Sequence, residues 1–263
     1  MKAVFFDIDG TLIDNSNKRV PTSARDAISY LHSEGHLTFI CSGRPKLLVN
    51  ESHLNNIFFD GVISSSGALI EYNGAILYYR TVPVDLAKKA LDVFTKNNVL
   101  PILEGKNLIY YDETNLPFKP YQSDIKTALG DKIQSIAGHF GKWEFCKFVC
   151  ITDPTLSNVK NCVNNLKSEF NFQIHNDFLF EMLLKGVNKG SAINFVCQKL
   201  GIDPADTVAI GDSVNDLDML EAAGTAIAMA NAPDEVKNAA DFVTALAEDD
   251  GIAIALKHFN LID

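Results

Sequence analysis

The chain has 263 residues, 47% of them hydrophobic and 21% charged, a composition that supports a folded core and lies far from that of disordered chains. Its length exceeds the roughly 100 to 200 residues of a usual single domain, so one large domain or a domain carrying an insertion is expected. Lys and Arg total 23 against 33 Asp and Glu, a net charge of −10, which argues against nucleic acid and anionic membrane surfaces as partners, since both require basic protein surface.

Apolar runs are only a few residues long, against about 18 for a bilayer span, and Met1-Lys2 leads through Ala3-Val4-Phe5-Phe6 directly to Asp7. Neither a membrane segment nor a secretory signal is expected. The cysteines, at 41, 146, 150, 162 and 197, are odd in number and scattered, which fits reduced thiols and a cytoplasmic setting. Asn50-Glu51-Ser52 matches a glycosylation acceptor in form, but without a secretory signal it carries no weight. No feature of the sequence sets an oligomeric state.

Ala3-Val4-Phe5-Phe6 is an apolar run without alternation, as in a strand buried on both faces of a parallel sheet. Ser23 to Ser33 spaces Ala24, Ala27, Ile28 and Leu31 at helical intervals and stops at Gly35, before a second strand at Leu37 to Cys41. A third run, Gly61-Val62-Ile63, leads into Ser64-Ser65-Ser66-Gly67, and the stretches 68–72 and 75–78 form a hairpin turning at Asn73-Gly74. A helix is predicted over Asp85 to Lys96, strands at 101–103 and 108–111, a helix near 123–129, and a strand over 145–152. One more helix and one more strand fill 156–182. From Val187 a βα rhythm returns: a helix ending at Gly201, a strand at Thr207 to Ile210, a helix ending at Gly224, and an apolar run from Thr225 to Met229.

The pattern predicts an α/β protein: a Rossmann-like doubly wound parallel-sheet core from residues 1–81 and 184–263, interrupted by an inserted α/β cap at 82–183. Charge follows the same division. The insert holds 11 Lys/Arg against 12 Asp/Glu, and the two core pieces hold 12 against 21.

In an open parallel sheet ligands bind beyond the carboxyl ends of the strands, and here each strand runs into polar residues. The first ends in Asp7-Ile8-Asp9-Gly10-Thr11, the second in Ser42-Gly43-Arg44, and the late strand in Gly211-Asp212-Ser213-Val214-Asn215-Asp216. Asp7 and Asp9, on an extended segment, leave the same face roughly 6 to 7 Å apart at the backbone. With Asp212 from a neighbouring strand end, the repulsion calls for a hard divalent cation, and Mg²⁺ suits a site with a few carboxylate or carbonyl ligands. Calcium loops of the EF-hand kind are excluded, because Lys18 or Ala223 falls where a bidentate Glu is required.

Lys189 opens a helix with Asn188 as N-cap, placing a cation at the positive end of the helix dipole, a location suited to a bound anion. Ser42 and the N–H groups following it, ahead of Pro45 as a favoured first helical residue, make a second anion cradle. Taken singly, a capping serine or a surface lysine explains either position as well. Cys146 and Cys150 fit core packing, without zinc-site partners.

Together these residues resemble the haloacid dehalogenase superfamily, specifically its Cof-like sugar-phosphatase branch. Asp7-Ile8-Asp9-Gly10-Thr11-Leu12 is similar to the first motif, Ser42 with Gly43-Arg44 to the second, Lys189-Gly190 to the third, and Gly211 to Asp216 to the fourth. The stretch 226–232, A-I-A-M-A-N-A, and Asp250-Gly251-Ile252 resemble the closing segments. The resemblance implies a phosphatase acting on a small phosphorylated metabolite, in which Asp7 attacks phosphorus and forms an aspartyl-phosphate. Asp9 would protonate the leaving oxygen and then activate water. Mg²⁺ would sit on the Asp7 carboxylate, the Asp9 backbone carbonyl and Asp212. Ser42, Gly43, Lys189 and Asn215 would bind phosphate, with Thr11 and Asp216 in support, and the insert would act as the cap that touches the leaving group.

Two positions depart from the branch: Ser42 stands where threonine is commoner and keeps the hydroxyl, and Ser66 stands where asparagine usually precedes Gly-Ala. A phosphomutase of the same superfamily and a receiver-like phosphoacceptor are the other readings; Asp9 and the cap-sized insert favour hydrolysis over the latter.

Overall fold

All four residues of the opening strand β1 (Ala3–Phe6) are buried, as its unbroken apolar run requires. The computed structural model describes residues 1–14, 18–49, 54, 57–112, 129–152 and 158–263. Helix α1 (Thr22–Ser33), β2 (Leu37–Cys41) and β3 (Gly61–Ser64) follow β1, and then the hairpin of β4 (Leu69–Tyr72) and β5 (Ala75–Tyr79). Asn73 and Gly74 turn that hairpin with φ of 48° and 76°, the two left-handed positions of a type I′ turn that make Asn-Gly the favoured pair.

Next come α2 (Val84–Lys96), β6 (Leu100–Glu104), β7 (Ile109–Tyr110), β8 (Ile133–Gln134), β9 (Lys147–Ile151), α3 (Asn158–Leu166), β10 (Phe170–Ile174) and β11 (Leu179–Leu184). The chain finishes with α4 (Lys189–Leu200), β12 (Thr207–Gly211), α5 (Leu217–Ala222), β13 (Thr225–Ala228), α6 (Asp234–Asn238), β14 (Phe242–Val243) and α7 (Gly251–His258). Two units emerge: Met1–Arg44, Leu48–Tyr78 and Asn188–Asp263 form one, and Pro45–Leu47 with Tyr79–Val187 form the other.

The first unit is built on a sheet of order β14-β13-β12-β1-β2-β3-β4-β5. Strand β1 pairs in parallel with both β2 and β12, so the chain winds outward from β1 in one direction and later from β12 in the other. This is the doubly wound parallel core expected from the sequence. The β4–β5 hairpin closes one edge, with β4 antiparallel to β3. Alternate residues of β1 serve opposite layers: Val4 and Phe6 pack with Ile28, Leu31 and Leu256, and Ala3 and Phe5 with Phe39, Ile193 and Val196. Phe5 stacks on Phe39 with ring centroids 4.9 Å apart. Burying such side chains is worth roughly 1.5–3 kcal/mol each, and because both faces are covered, the strand ends are left as the open positions for a ligand.

The second unit is a six-stranded sheet of order β10-β11-β9-β6-β7-β8, mostly antiparallel. Phe148 and Cys150 of β9 point to one face, where Phe148 meets Phe94, Phe145 and Phe170 at centroid distances of 5.3, 4.7 and 5.9 Å. The alternate residue Lys147 is buried with Glu104 and Glu181, each 3.0 Å from its ammonium. Burial pushes Glu181 up, but Lys147 and His175 outweigh it and hold the carboxyl at about 2.

One expectation needs correction here. Residues 156–182 were expected to hold one strand, but two antiparallel strands, β10 and β11, follow α3; Asn176 and its neighbours turn between them, with the Asn176 side chain accepting from the Phe178 amide. After Pro45 the described residues make a 3₁₀ turn, Lys46–Leu48. Strands β8 and β14 and helices α6 and α7 go beyond the sequence reading; β8, β14 and α6 are too short to show a period. The helix expected near 123–129 and the Asn50-Glu51-Ser52 sequon lie outside the described residues, except for Leu129. The five cysteines are buried free thiols. Among the described residues, no helix is long and apolar enough to cross a membrane.

Phe148→Ala removes the ring at the centre of the aromatic cluster and is expected to destabilise the chain by about 3–5 kcal/mol. Urea unfolding followed by the fluorescence of Trp143, the one tryptophan, reads this directly. A loss below about 1 kcal/mol would contradict the packing described.

Candidate active site

Strand β1 ends at Phe6, and the Asp7 amide extends the ladder by donating to the Ile210 carbonyl at 3.0 Å. That register brings Asp7 beside the end of β12, where Asp212 follows. The chain then turns at once, with the Ile13 amide donating to the Ile8 carbonyl at 2.8 Å. Asp7 and Asp9 are therefore not paired on an extended segment, which corrects the expectation from their spacing. Asp7 is buried, whereas the Asp9 side chain is 53% exposed. Gly10 makes the turn possible: its φ is +85°, and a Cβ there would lie 2.3 Å from Asp212 Oδ2.

Lys189 is the centre of the site. Asn188 caps α4 with a capping box, its side chain accepting from the Ser191 amide at 2.7 Å, and this fixes the first turn of the helix. The Lys189 ammonium is fully buried and donates to Asp7 Oδ1 at 2.6 Å and to Asp216 Oδ1 at 2.5 Å. The cost of a cation at a helix N-terminus is thus offset by two carboxylates. The other oxygen of Asp216 accepts the amides of Asp212 and Ser213, each at 3.0 Å.

The carboxylates that crowd are Asp7, Asp212 and Asp216, whose nearest oxygens all lie within 4.8 Å of one another. The Asp9 side chain is not among them; it forms a fork-to-fork pair with Arg44, with Nε donating at 2.7 Å and Nη2 at 2.5 Å. Asp212 is held from two sides, by Thr11 Oγ1 at 2.9 Å and by Asn231 Nδ2 at 2.8 Å. Ser42 is buried and its hydroxyl accepts from the Arg44 amide at 3.2 Å. The Asn215 side chain accepts from Ser213 Oγ, and a Cβ built on Gly43 would stand 3.6 Å from its amide nitrogen. Asp7, Asp9, Thr11, Ser42, Gly43, Asp212, Asn215 and Asp216 thus follow the ends of β1, β2 and β12, and Lys189 reaches Asp7 and Asp216 from the first turn of α4. Arg44 and Asn231 stand inside motifs in the sequence; their partners come from distant segments, so no local pattern announces their contacts.

One ammonium faces three carboxylates, and the imbalance shows in their protonation. Burial pushes Asp7 up to about 8, against the opposing pull of Lys189, with Asp216 and Asp212 adding to the rise. Burial likewise raises Asp212 to about 6, opposed by the Thr11 hydrogen bond. Lys189 moves the other way from what burial alone would do, because Asp216 and Asp7 hold it protonated. The set offers hard oxygen donors and an unneutralised negative charge, which suits a divalent cation of the magnesium type.

The sequence profile of haloacid dehalogenase-like hydrolases matches residues 4–256, and the chain belongs to that family. Within it the protein is a phosphoric monoester hydrolase. A protein of Bacillus subtilis provisionally designated phosphatase YkrA is 29% identical over 275 residues, covering 99% of this chain and 98% of its own. The B. subtilis 5-amino-6-(5-phospho-D-ribitylamino)uracil phosphatase YwtE is 28% identical over 278 residues, covering 96% of each. Among solved structures, the subclass IIB sugar phosphatase BT4131 superimposes with a TM-score of 0.83 and 28% identity over 100% of both chains.

The raised carboxyls fix the sign of a pH effect. A folded-state value above the ordinary 3.8 means that the folded protein prefers the protonated group. The stability this contributes is complete below about 3.8 and is lost as pH rises through about 6 for Asp212 and about 8 for Asp7. In EDTA the melting temperature should therefore fall by several degrees between pH 5 and pH 8, and Asp7→Asn should flatten that slope. In the unmodified protein, millimolar MgCl₂ should recover at pH 8 the melting temperature lost in EDTA. Differential scanning fluorimetry checks all three, and an unchanged melting temperature across the range would count against the acidic cluster.

Proposed function

We propose that the protein is a Mg²⁺-dependent phosphatase of a small polyhydroxylated metabolite, a sugar or polyol phosphate, working through a phosphorylated Asp7. The observation that carries the reading is the buried Asp7 at the end of β1, held by Lys189 in a cluster with Asp212 and Asp216. The cation would be held by the carboxylates of Asp7 and Asp212 and by the Asp9 backbone carbonyl. When bound, it keeps Asp7 ionised and offsets the repulsion between carboxylate and phosphate.

In the first step an Asp7 oxygen attacks phosphorus, the bond to the leaving oxygen breaks, and Asp9 gives that oxygen its proton. In the second, Asp9 takes a proton from water, whose oxygen attacks the aspartyl-phosphate, releasing phosphate and the free Asp7 carboxylate. Asp9 is open to solvent, and Arg44, which holds both of its oxygens, must release one for Asp9 to carry the proton. Lys189, Ser42, the amides from Gly43 onward and Asn215 bind the phosphoryl oxygens. Asp216 serves by fixing Lys189 through a pair of 2.5 Å. The acceptor of the phosphoryl group is water in this reading; a sugar hydroxyl as acceptor would make the enzyme a mutase.

The substrate class rests on what two relatives share. The named substrate of YwtE carries a phosphorylated ribityl chain, and BT4131 is a sugar phosphatase, so both work on esters of a hydroxylated carbon chain. The segment 82–183 acts as the cap that selects the leaving group. The protein works in the cytoplasm, as five buried free thiols suit.

A panel of sugar, polyol and nucleotide phosphates assayed for phosphate release with MgCl₂ and with EDTA tests the proposal. Release should require the metal, and product analysis with a hexose phosphate should show free hexose and no isomer. Asp7→Asn should lower kcat by at least about a thousandfold while circular dichroism stays native. Activity equal to wild type in that variant would overturn the nucleophile assignment.

A further inference from the structure

The loop after β3 contains a polar group that the mechanism above leaves without a task. Ser65 and Ser66 both adopt left-handed backbone conformations, with φ of 48° and 51°, an unfavourable geometry for non-glycine residues that persists only where the surroundings impose it. The surroundings are tight. The Ser65 amide donates to the Arg44 carbonyl at 2.8 Å and the Ser66 amide to the Ser42 carbonyl at 3.0 Å, which binds this turn to the Ser42–Arg44 loop. Gly67, with φ of +98°, lies so close to Asn188 that a Cβ would stand 2.2 Å from its carbonyl oxygen. The turn is thereby wedged between the loop carrying Ser42 and the N-cap of the helix carrying Lys189.

Within that turn Ser66 is 4% exposed, and its hydroxyl has no hydrogen-bond partner in the protein. A buried hydroxyl without a partner costs free energy, and most such groups in folded proteins are satisfied. Ser64 Oγ is likewise unpartnered, but Ser66 is the one placed against the site: a Cβ built on Gly43 would stand 3.4 Å from Ser66 Oγ and 3.6 Å from Asn215 Nδ2. The hydroxyl therefore borders the groups assigned to the phosphoryl oxygens, and a hydroxyl can donate there.

We infer that Ser66 is a further anion-binding residue, its Oγ–H donating to a phosphoryl oxygen held beside Gly43 and Asn215. The inference rests on the phosphatase reading for the identity of the anion, and on the orphaned hydroxyl for its place. Its strained backbone and its ties to Ser42 and Asn188 hold the donor in position before the anion arrives, so little ordering is left to binding.

The test uses the full chain with MgCl₂ and inorganic phosphate as the probe, with affinity measured by calorimetry and Tm by fluorimetry. Ser66→Ala should bind phosphate about tenfold more weakly or worse, as for a lost hydrogen bond to a charged group. Its unliganded Tm should stay level or rise, since the variant removes an unsatisfied polar atom. Ser66→Gly, which relaxes the backbone as well, should lose affinity to a similar degree with an unliganded Tm at least as high as wild type, and it stands in if the alanine variant misfolds. A merely structural serine gives the opposite pattern: lower Tm with phosphate affinity intact in the variant that folds, and that result would overturn the assignment. The two readings fail separately. Wild type that hydrolyses p-nitrophenyl phosphate while Ser66→Ala binds phosphate unchanged refutes only Ser66. A wild type with neither hydrolysis nor phosphate binding refutes both.

Discussion

The buried ammonium of Lys189 is the constraint on which the site depends. It is enclosed at the start of a helix, where the dipole opposes it, and survives as a cation because Asp7 and Asp216 lie 2.6 and 2.5 Å away. One positive charge satisfies one carboxylate well. Asp216 has the stronger claim, with two backbone amides on its other oxygen, which leaves Asp7 and Asp212 under-neutralised in a low-dielectric setting. Burial raises both carboxyls, and their acidic neighbours add to the rise.

The fold supplies this arrangement through topology. Because the chain winds outward from β1 to β2 and β3, and again from β12 to β13 and β14, the central pair β1 and β12 ends side by side. Asp7 and Asp212, 205 positions apart in the chain numbering, become neighbours through ordinary parallel pairing. The two hydrophobic layers on either face of the sheet give this pairing its rigidity. Thr11 and Asn231 complete it by gripping both oxygens of Asp212, so that the position of that carboxylate is set by contacts from opposite ends of the sequence.

The second unit shows a similar economy in a different setting. Phe148 and its ring neighbours make one face of its sheet apolar, while on the other Lys147 lies between Glu104 and Glu181. There too a single buried ammonium is shared by two carboxylates, and the outcome is unequal: Glu181 is held at about 2 and burial leaves Glu104 at about 7. Removing one partner from such a buried set is costly because the remaining charge is stranded.

Much of this was legible in the chain itself. Period and composition gave the parallel strands and the Asn-Gly hairpin, because those features arise from backbone and burial preferences that act over a few residues. The polar residues beyond the strands singled out Asp7 and Asp212, the helix start singled out Lys189, and the family resemblance added Asn215. Spacing failed where a turn replaced a strand: Asp7 and Asp9 are two apart in sequence, but the chain turns after Asp7, sending one carboxyl inward to Lys189 and the other outward to Arg44. The roles of Asp216 as the buried partner of Lys189, of Asn231 as a clamp on Asp212, and of Ser66 as an unsatisfied hydroxyl depend on contacts across long stretches of chain. Such contacts are decided by how helices and strands pack, and by which charges are buried together, so only the tertiary structure shows them.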